Sequence, residues 1–220
     1  MADDGGLDVT GVGKLAKAIP QKAWIQLVDT ACITFREAIA PLTAISSGFG
    51  RLITAKFDRL VDAEKVLAAE NVAKAQDKAT KSKRAPFGTP KANIIIAVIE
   101  ASGIQTDLLL RELWANLLAQ ELITANIHPE FPHILSRLSA PDAQLLAQVA
   151  DREHAKNEEL KKIITKFSAG ILGFSITVLG SERASFNHEH LHHLNLIEKE
   201  EGLWRLTYTG RAFIQAVTEP

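Results

Sequence analysis

Hydrophobic residues recur at helical spacing along the N-terminal third of the chain. Between residues 24 and 39 they fall three or four positions apart, which places them on one face of an α-helix. We expect Pro41 to interrupt that helix, because a proline inside a helix removes a hydrogen-bond donor and clashes with the preceding turn. The same spacing resumes at residue 42 and lasts to residue 67. The pattern predicts an arm of long amphipathic helices over residues 14–84, after a flexible tail over residues 1–13.

A second helical region follows the segment at residues 86–90, where two prolines and a glycine stand within five positions and mark a loop. We predict a central helical body over residues 85–150. The apolar residues between positions 109 and 123 cover so much of their helix that we expect it to have neighbours on more than one side. This helix should therefore form the centre of a helical bundle.

Short signals mark helix ends in the central body. Gly103 is placed to end a helix over residues 93–101, because glycine takes the left-handed conformation at little cost. Thr106 can then cap the next helix. Pro141 fits the first turn of a later helix, and Asp142 complements the positive N-terminus of that helix.

The C-terminal region, residues 151–217, ends in a different pattern. Residues 170–180 are β-branched and aromatic, and they predict either one buried strand or a short core helix. A helix over residues 182–195, two short strands with Gly202 in the turn between them, and a closing helix over residues 209–217 follow. This order is winged-helix-like. The predicted fold class is mainly α, with long N-terminal amphipathic helices, a central helical bundle and a C-terminal winged-helix-like helix–β-hairpin–helix.

The overall charge points to no class of partner. The 25 basic residues nearly cancel the 26 acidic ones, so the chain has no overall field that attracts nucleic acid or an anionic membrane. The single cysteine, Cys32, excludes an intramolecular disulfide, and its apolar face predicts a small buried hydrophobe. The N-terminus lacks the pattern of a signal peptide, and no apolar run reaches the roughly 18–20 residues of a spanning helix. We therefore expect a soluble, cytoplasmic protein.

One local excess of charge is basic, and it lies between residues 74 and 91. Such a run can neutralise phosphates and release their counterions. The segment has no interleaved aromatic residues on which bases could stack, so we favour a solvated linker over a nucleic-acid site. Its basic residues are Lys74, Lys78, Lys81, Lys83, Arg84 and Lys91.

Four histidines stand within residues 188–193. On a helix His188 and His192 are i,i+4 neighbours, and His190 and His193 are i,i+3 neighbours, so either pair could contact a metal through ring nitrogens. The pairs lie on different faces and a third ligand must come from elsewhere, so we favour a solvated helix. We therefore predict that the chain binds no metal. If a metal did bind, His188 and His192 would be the candidate ligands.

We predict no cofactor and no catalytic residue, because the sequence contains no nucleophile–base motif, phosphate-binding glycine loop or paired-carboxylate motif. Asn116 stands inside a leucine-rich stripe, where a buried amide must find hydrogen-bond partners. We predict that it has a structural role, such as tying the turn at His128 and Pro129. His128 and His133 are predicted to be turn residues and not ligands.

Three stretches of the chain share an order and spacing with one family. They are residues 113–119, residues 128–143, and residues 194–197 followed by 206–213. They resemble the abortive infection alpha (Abi-alpha) family of bacterial phage-defence proteins. The second stretch is the most specific, because it joins an unusual turn, a short helix and a new helix start. The family-motif residues are Leu113, Trp114, Asn116, Leu117, His128, Pro129, Pro141, Asp142, Leu206, Thr207, Gly210, Arg211 and Phe213.

The resemblance covers roughly residues 85–217, with a weaker likeness back to about residue 40, and residues 151–180 match no pattern of the family. It implies a role in host suicide or growth arrest on infection and brings no catalytic residue. We therefore expect a non-enzymatic antiviral effector or sensor that acts through a protein partner or self-association. Two alternatives stay open: a winged-helix nucleic-acid-binding regulator and a membrane-perturbing helical protein. A membrane role is disfavoured because the polar faces of the helices over residues 14–67 carry few Lys and Arg residues.

Overall fold

The periodic stretches of the sequence form helices in the computed structural model, which describes residues 20–43, 47–82, 84–152, 163, 165–167, 181–200, 202–218 and 220. The predicted tail and nearly all of residues 153–180 lie outside this set, so the predictions for them are untested. The helices are α1 (Gln21–Thr43), α2 (Ser47–Asp58), α3 (Asp62–Lys81), α4 (Ala92–Ile104), α5 (Leu108–Thr124), α6 (Glu130–Arg137), α7 (Ala140–Arg152), α8 (Ser181–His193) and α9 (Tyr208–Val217), and the strands are β1 (Ile197–Glu200) and β2 (Leu203–Leu206).

The mainly helical fold class is confirmed, with long N-terminal helices and a C-terminal helix–hairpin–helix. As the breadth of its apolar surface predicts, α5 lies at the centre and packs against α3, α4, α6 and α9. Trp114 at its middle is 1% exposed. Burial of such a large side chain removes much apolar surface from water, so α5 anchors the core.

The N-terminal helices pack onto this core. The rings of Phe35 in α1 and Phe57 in α2 stack with centroids 3.7 Å apart, and both side chains are buried. α3 packs against α1 on one side and against α4 and α5 on the other. The division of the chain at residue 85 stays a prediction about domains, although α3 before it and α4 and α5 after it share one core.

The expected interruption of the helix at Pro41 is wrong, because Pro41 lies inside α1. α1 continues through Pro41 and ends at Thr43. A proline in the last turn removes one backbone hydrogen bond near the end of the helix, which costs less than the same change in the middle. α2 then begins at Ser47.

Two predicted helix ends near residue 103 are wrong. Gly103 lies inside α4, which ends at Ile104, and a Cβ at Gly103 would stand 3.3 Å from the backbone oxygen of Glu64 in α3. A side chain there would be tight against α3, and Gly103 is not in the left-handed conformation, so this glycine suits close helix packing and does not end α4. The cap of α5 is Asp107 instead of Thr106, because the Asp107 carboxylate accepts a hydrogen bond from the Leu110 N–H at 3.0 Å.

The predicted C-terminal hairpin is confirmed. β1 and β2 pair antiparallel, with Ile197 opposite Leu206 and Glu200 opposite Leu203. Gly202 has φ +82° in the turn, a conformation that favours glycine. The order α8, hairpin, α9 matches the predicted helix–hairpin–helix, while its winged-helix character stays a prediction. Among the helices that the structure describes, none combines the length and the apolar character needed to cross a membrane.

Candidate functional site

The family-motif residues of α5 form part of the core and hold the C-terminal end of the chain. Leu113, Trp114 and Leu117 are buried. Asn116 is 6% exposed, and its Nδ2 atom donates to the backbone oxygen of Val217 at 2.9 Å. Asn116 therefore ties the end of α9, and the predicted tie to the turn at residues 128–129 is wrong.

The segment just before that turn is held by Glu121, a residue that the apolar spacing did not single out. Its side chain is fully buried, and its carboxylate accepts hydrogen bonds from the backbone N–H groups of Lys91, at 2.6 Å, and Ile127, at 3.0 Å. The Lys91 ammonium also donates to the Ile127 oxygen at 2.9 Å. Burial raises the pKa of Glu121 above its usual range, and the two backbone donors offset part of that increase. The sequence feature that could have identified Glu121 is its position, because it is a glutamate among the apolar residues of a leucine-rich helix.

His128 and Pro129 form the turn before α6. The Nδ1 atom of His128 accepts a hydrogen bond from the Glu130 N–H at 3.1 Å, and the His128 ring lies 5.9 Å from the ring of Phe131. Phe131 in turn meets Phe213 of α9 edge-on, with centroids 5.7 Å apart. The turn is therefore packed through Phe131 against the closing helix.

The second motif stretch ends in a buried carboxylate, Asp142, which is 2% exposed. Its Oδ2 atom accepts hydrogen bonds from the Ser139 N–H at 2.8 Å and the Ser139 hydroxyl at 2.6 Å, and the Ser139 hydroxyl accepts from the Asp142 N–H at 3.3 Å. These reciprocal bonds form a capping box at the start of α7, with Pro141 in its first turn. The Oδ2 atom of Asp142 also lies 3.1 Å from Nδ1 of His190 in α8. One side chain thus joins the start of α7 to the histidine-rich helix.

The histidines of α8 divide between two neighbours. His190 faces Asp142, whereas His188 and His192 lie beside Trp204 of β2, with ring centroids 5.1 Å and 5.8 Å from the indole. His192 Nδ1 also lies 3.0 Å from the Ile197 oxygen, and since a carbonyl only accepts, Nδ1 is the donor. The two candidate metal ligands, His188 and His192, therefore both lie beside the indole ring of Trp204. No group of three or more His, Cys, Asp or Glu side chains with metal-site spacing is found among the residues that the structure describes.

The third motif stretch fixes α9 against the loop after α8. Thr207 donates to the Asn195 oxygen at 2.6 Å and its hydroxyl accepts from the Gly210 N–H at 2.9 Å, so it caps α9 and holds the loop. A Cβ at Gly210 would overlap the backbone oxygen of Leu196, so the motif glycine is needed for close approach. Leu206 and Phe213 are buried, and Arg211 is half-buried on α9.

Most of the basic side chains between residues 74 and 91 are paired with acceptors. The Glu112 carboxylate of α5 pairs with both Lys74 and Lys78 of α3, the latter at 2.7 Å. Lys81 pairs with Asp77 at 2.7 Å. Partial burial favours the neutral form of Glu112, but the two lysines together outweigh it and lower the pKa of this carboxyl. The basic run is therefore partly a packing surface between α3 and α5. Lys83 lies outside the described residues.

The family motifs thus converge on the junction of α5, α7, α8, the hairpin and α9. The model of the family described as abortive infection alpha matches residues 59–206, more than half of the 220-residue chain. The chain belongs to the abortive infection alpha family. Neither a curated protein nor a solved structure matches it.

The match agrees with the first two motif stretches and begins at residue 59, inside the weaker part of the expected likeness. It ends at Leu206, so residues 207–213 of the third stretch lie beyond it. It also runs through residues 151–180, which were expected to match no pattern of the family. The abortive infection alpha match includes α3, whose residues Glu70, Lys74 and Lys78 pair with Arg111 and Glu112 of α5. We define the candidate site as the C-terminal element, residues 181–217, together with the Asp142 and Asn116 side chains that fasten it. The contacts described above link its helices and hairpin to α5 and α7.

Proposed function

We propose that this chain is a non-enzymatic abortive infection effector or sensor in bacterial defence against phage, and that it acts in the cytoplasm through protein–protein contacts. The observation that supports this proposal is the set of hydrogen bonds that the family-motif residues make. Asn116, Asp142 and Thr207 each make hydrogen bonds that fasten the C-terminal element. Motif residues used in this way present a surface in a fixed orientation, which is what a contact with another protein requires.

The C-terminal element exposes large side chains that a partner could cover. Phe186 on α8 is 70% exposed, Leu203 on β2 is 63% exposed and Tyr208 at the start of α9 is 86% exposed. Aromatic side chains are enriched in protein interfaces because they bury much area at low conformational cost. This exposure supports contact with a partner protein or a second copy of the chain.

The nucleic-acid alternative has less support than its sequence signal suggested. Of the basic run, Lys74 and Lys78 face Glu112, and Lys81 faces Asp77. These pairs leave less positive charge for phosphates. A gel shift at low salt tests the alternative, which predicts binding that weakens steeply as salt is added.

The test of the proposed function is phage plating on cells that express the protein. We expect plating efficiency to fall relative to empty-vector cells for at least some members of a diverse phage panel, with infected cells dying or arresting before phage release. Equal plating on both kinds of cell across the panel, at verified expression, would contradict the proposed function. Liposome flotation of the purified protein tests the membrane alternative separately.

A further inference from the structure

A second surface, formed by the loop between α3 and α4, lies outside the C-terminal element. The loop runs from Arg84 to Pro90 and crosses the C-terminal end of α5, where the Phe87 N–H donates to the Ile123 oxygen at 2.7 Å. Phe87 itself is 82% exposed. An aromatic side chain so exposed on an ordered loop has no role in the core of this chain.

The loop separates two cavities. One, of about 530 Å³, lies toward Asn126, and the other, of about 280 Å³, lies toward Pro41. Arg84, Gly88 and Ile123 line both of them. The cavities are therefore neighbours, and their shared wall is the loop.

Hydrogen bonds to the buried Glu121 side chain hold the chain segments beside these cavities. The buried Glu121 carboxylate accepts from the N–H groups of Lys91 and Ile127, so one side chain fixes both the end of the loop and the turn opposite it. Gly88 has φ +92°, and a Cβ there would lie 3.2 Å from that of Ala125. The positive φ favours glycine at this position, and a side chain there would be tight against the end of α5. A surface fixed in this way loses little conformational entropy when it binds a ligand.

The charge of the site is positive. Arg84 is exposed, and within the described part of the chain no carboxylate forms an ion pair with its guanidinium. The described hydrogen bonds also include none from the backbone N–H groups of Gly88 and Thr89. An arginine and free backbone donors recognise carboxylates, and an extended segment can pair with an exposed backbone edge.

We propose that the Arg84–Pro90 loop is a docking site for an extended acidic peptide segment of a partner protein. A carboxylate of the peptide pairs with Arg84, apolar side chains on either side of it enter the two cavities, and Phe87 packs against the peptide. Charge complementarity at Arg84 selects the acidic peptide over a basic one, and the paired cavities select an extended segment with apolar residues. This site is separate from the C-terminal element and goes beyond the proposed function.

The probe is a library of short random peptides displayed on yeast and sorted against the purified full-length protein. We expect enriched peptides to contain Asp or Glu beside apolar residues. By fluorescence polarisation, Arg84→Glu should weaken their binding at least about tenfold and Phe87→Ala should weaken it several-fold. The matched controls are Arg137→Glu and Leu108→Ala, which change an exposed arginine of α6 and an exposed leucine of α5 and should bind as the wild type does.

Three results would overturn the docking site: no enriched peptide, enriched peptides without acidic residues, or peptide binding that Arg84→Glu leaves unchanged. Binding of a labelled oligonucleotide that is lost in Arg84→Glu, without an acidic peptide, would also overturn it in favour of a phosphate site. All four altered residues are exposed, so circular dichroism should show that each variant folds. The peptide experiment and the phage-plating experiment test different proposals. If the wild-type protein protects no cells, the antiviral function is overturned, but the measured peptide binding still tests the docking site.

Discussion

The Nδ1 atom of His190 lies 3.1 Å from the Oδ2 atom of Asp142, and this contact joins α8 to the capped start of α7. Asp142 is 2% exposed, so its carboxylate depends on His190 and Ser139 for the hydrogen bonds that water would otherwise supply. The same oxygen thus stabilises a helix N-terminus and a contact between helices.

Replacement of Asp142 should therefore be costly. We expect Asp142→Ala to lower the free energy of unfolding by about 2–3 kcal/mol, because it removes the cap and leaves the Ser139 N–H and His190 without their acceptor. Urea denaturation followed by circular dichroism measures the loss. Asp151→Ala, at an exposed position near the other end of α7, is the control and should change stability by less than about 0.5 kcal/mol. A loss for Asp142→Ala no larger than that for Asp151→Ala would show that neither the cap nor the contact with His190 stabilises the fold.

The motif glycine of α9 gives a second prediction. Because a Cβ at Gly210 would overlap the Leu196 oxygen, Gly210→Ala should force the helix and loop apart and cost about 3 kcal/mol or more. Thermal unfolding measures the effect. Gln215→Ala, at an exposed position of the same helix, should leave the melting temperature nearly unchanged. A Gly210→Ala variant as stable as the wild type would show that the packing of α9 does not depend on its close approach to Leu196.

Trp114 tests the central position of α5. At 1% exposure its replacement by alanine should leave a cavity in the core and cost about 3–5 kcal/mol by urea denaturation. Trp204 offers a comparison, because it is only half-buried on the hairpin, where it lies beside His188 and His192 of α8. We expect Trp204→Ala to cost less than Trp114→Ala, and the reverse order would contradict the burial described here.

Helical spacing predicted the mainly helical character of the chain and the central place of α5, because apolar periodicity reports which face of each helix is buried. It did not predict the break between α2 and α3 at residues 59–61, across which the apolar spacing continues. The sequence pattern did not predict which residue each polar side chain contacts. Asn116 could be recognised as a buried amide, but its bond to Val217 joins residues a hundred positions apart, and no local pattern encodes that distance. The same holds for His190: the sequence presented four similar histidines, and only the packing of α7 against α8 distinguishes the one that meets Asp142.

The Glu112 carboxylate gives a prediction for pH. Lys74 and Lys78 lower its pKa in the folded chain below the ordinary value of 4.5. The contribution of the ionised Glu112 carboxylate and its two lysines to the free energy of unfolding is therefore complete above about pH 4.5. It is lost as the pH falls through the lowered pKa of Glu112. We expect Glu112→Gln to cost about 1 kcal/mol at neutral pH and progressively less in acid.

Urea denaturation of the wild type and the Glu112→Gln variant at several pH values makes this comparison. Glu37→Gln, at an exposed glutamate of α1, is the control. A difference between wild type and Glu112→Gln that stays constant from neutral pH into acid would contradict the role assigned to the lysine pairs.

We propose that this abortive infection alpha protein protects cells through contacts made by its C-terminal element. The most direct test is plating efficiency of a restricted phage on cells that express the wild type, the Leu203→Ser, Tyr208→Ser double variant or empty vector, at equal protein abundance. Both altered side chains are largely exposed, so the double variant should fold. We predict that the wild type lowers plating and that the double variant restores it to the level of empty vector. Protection by the double variant equal to that of the wild type would contradict the claim.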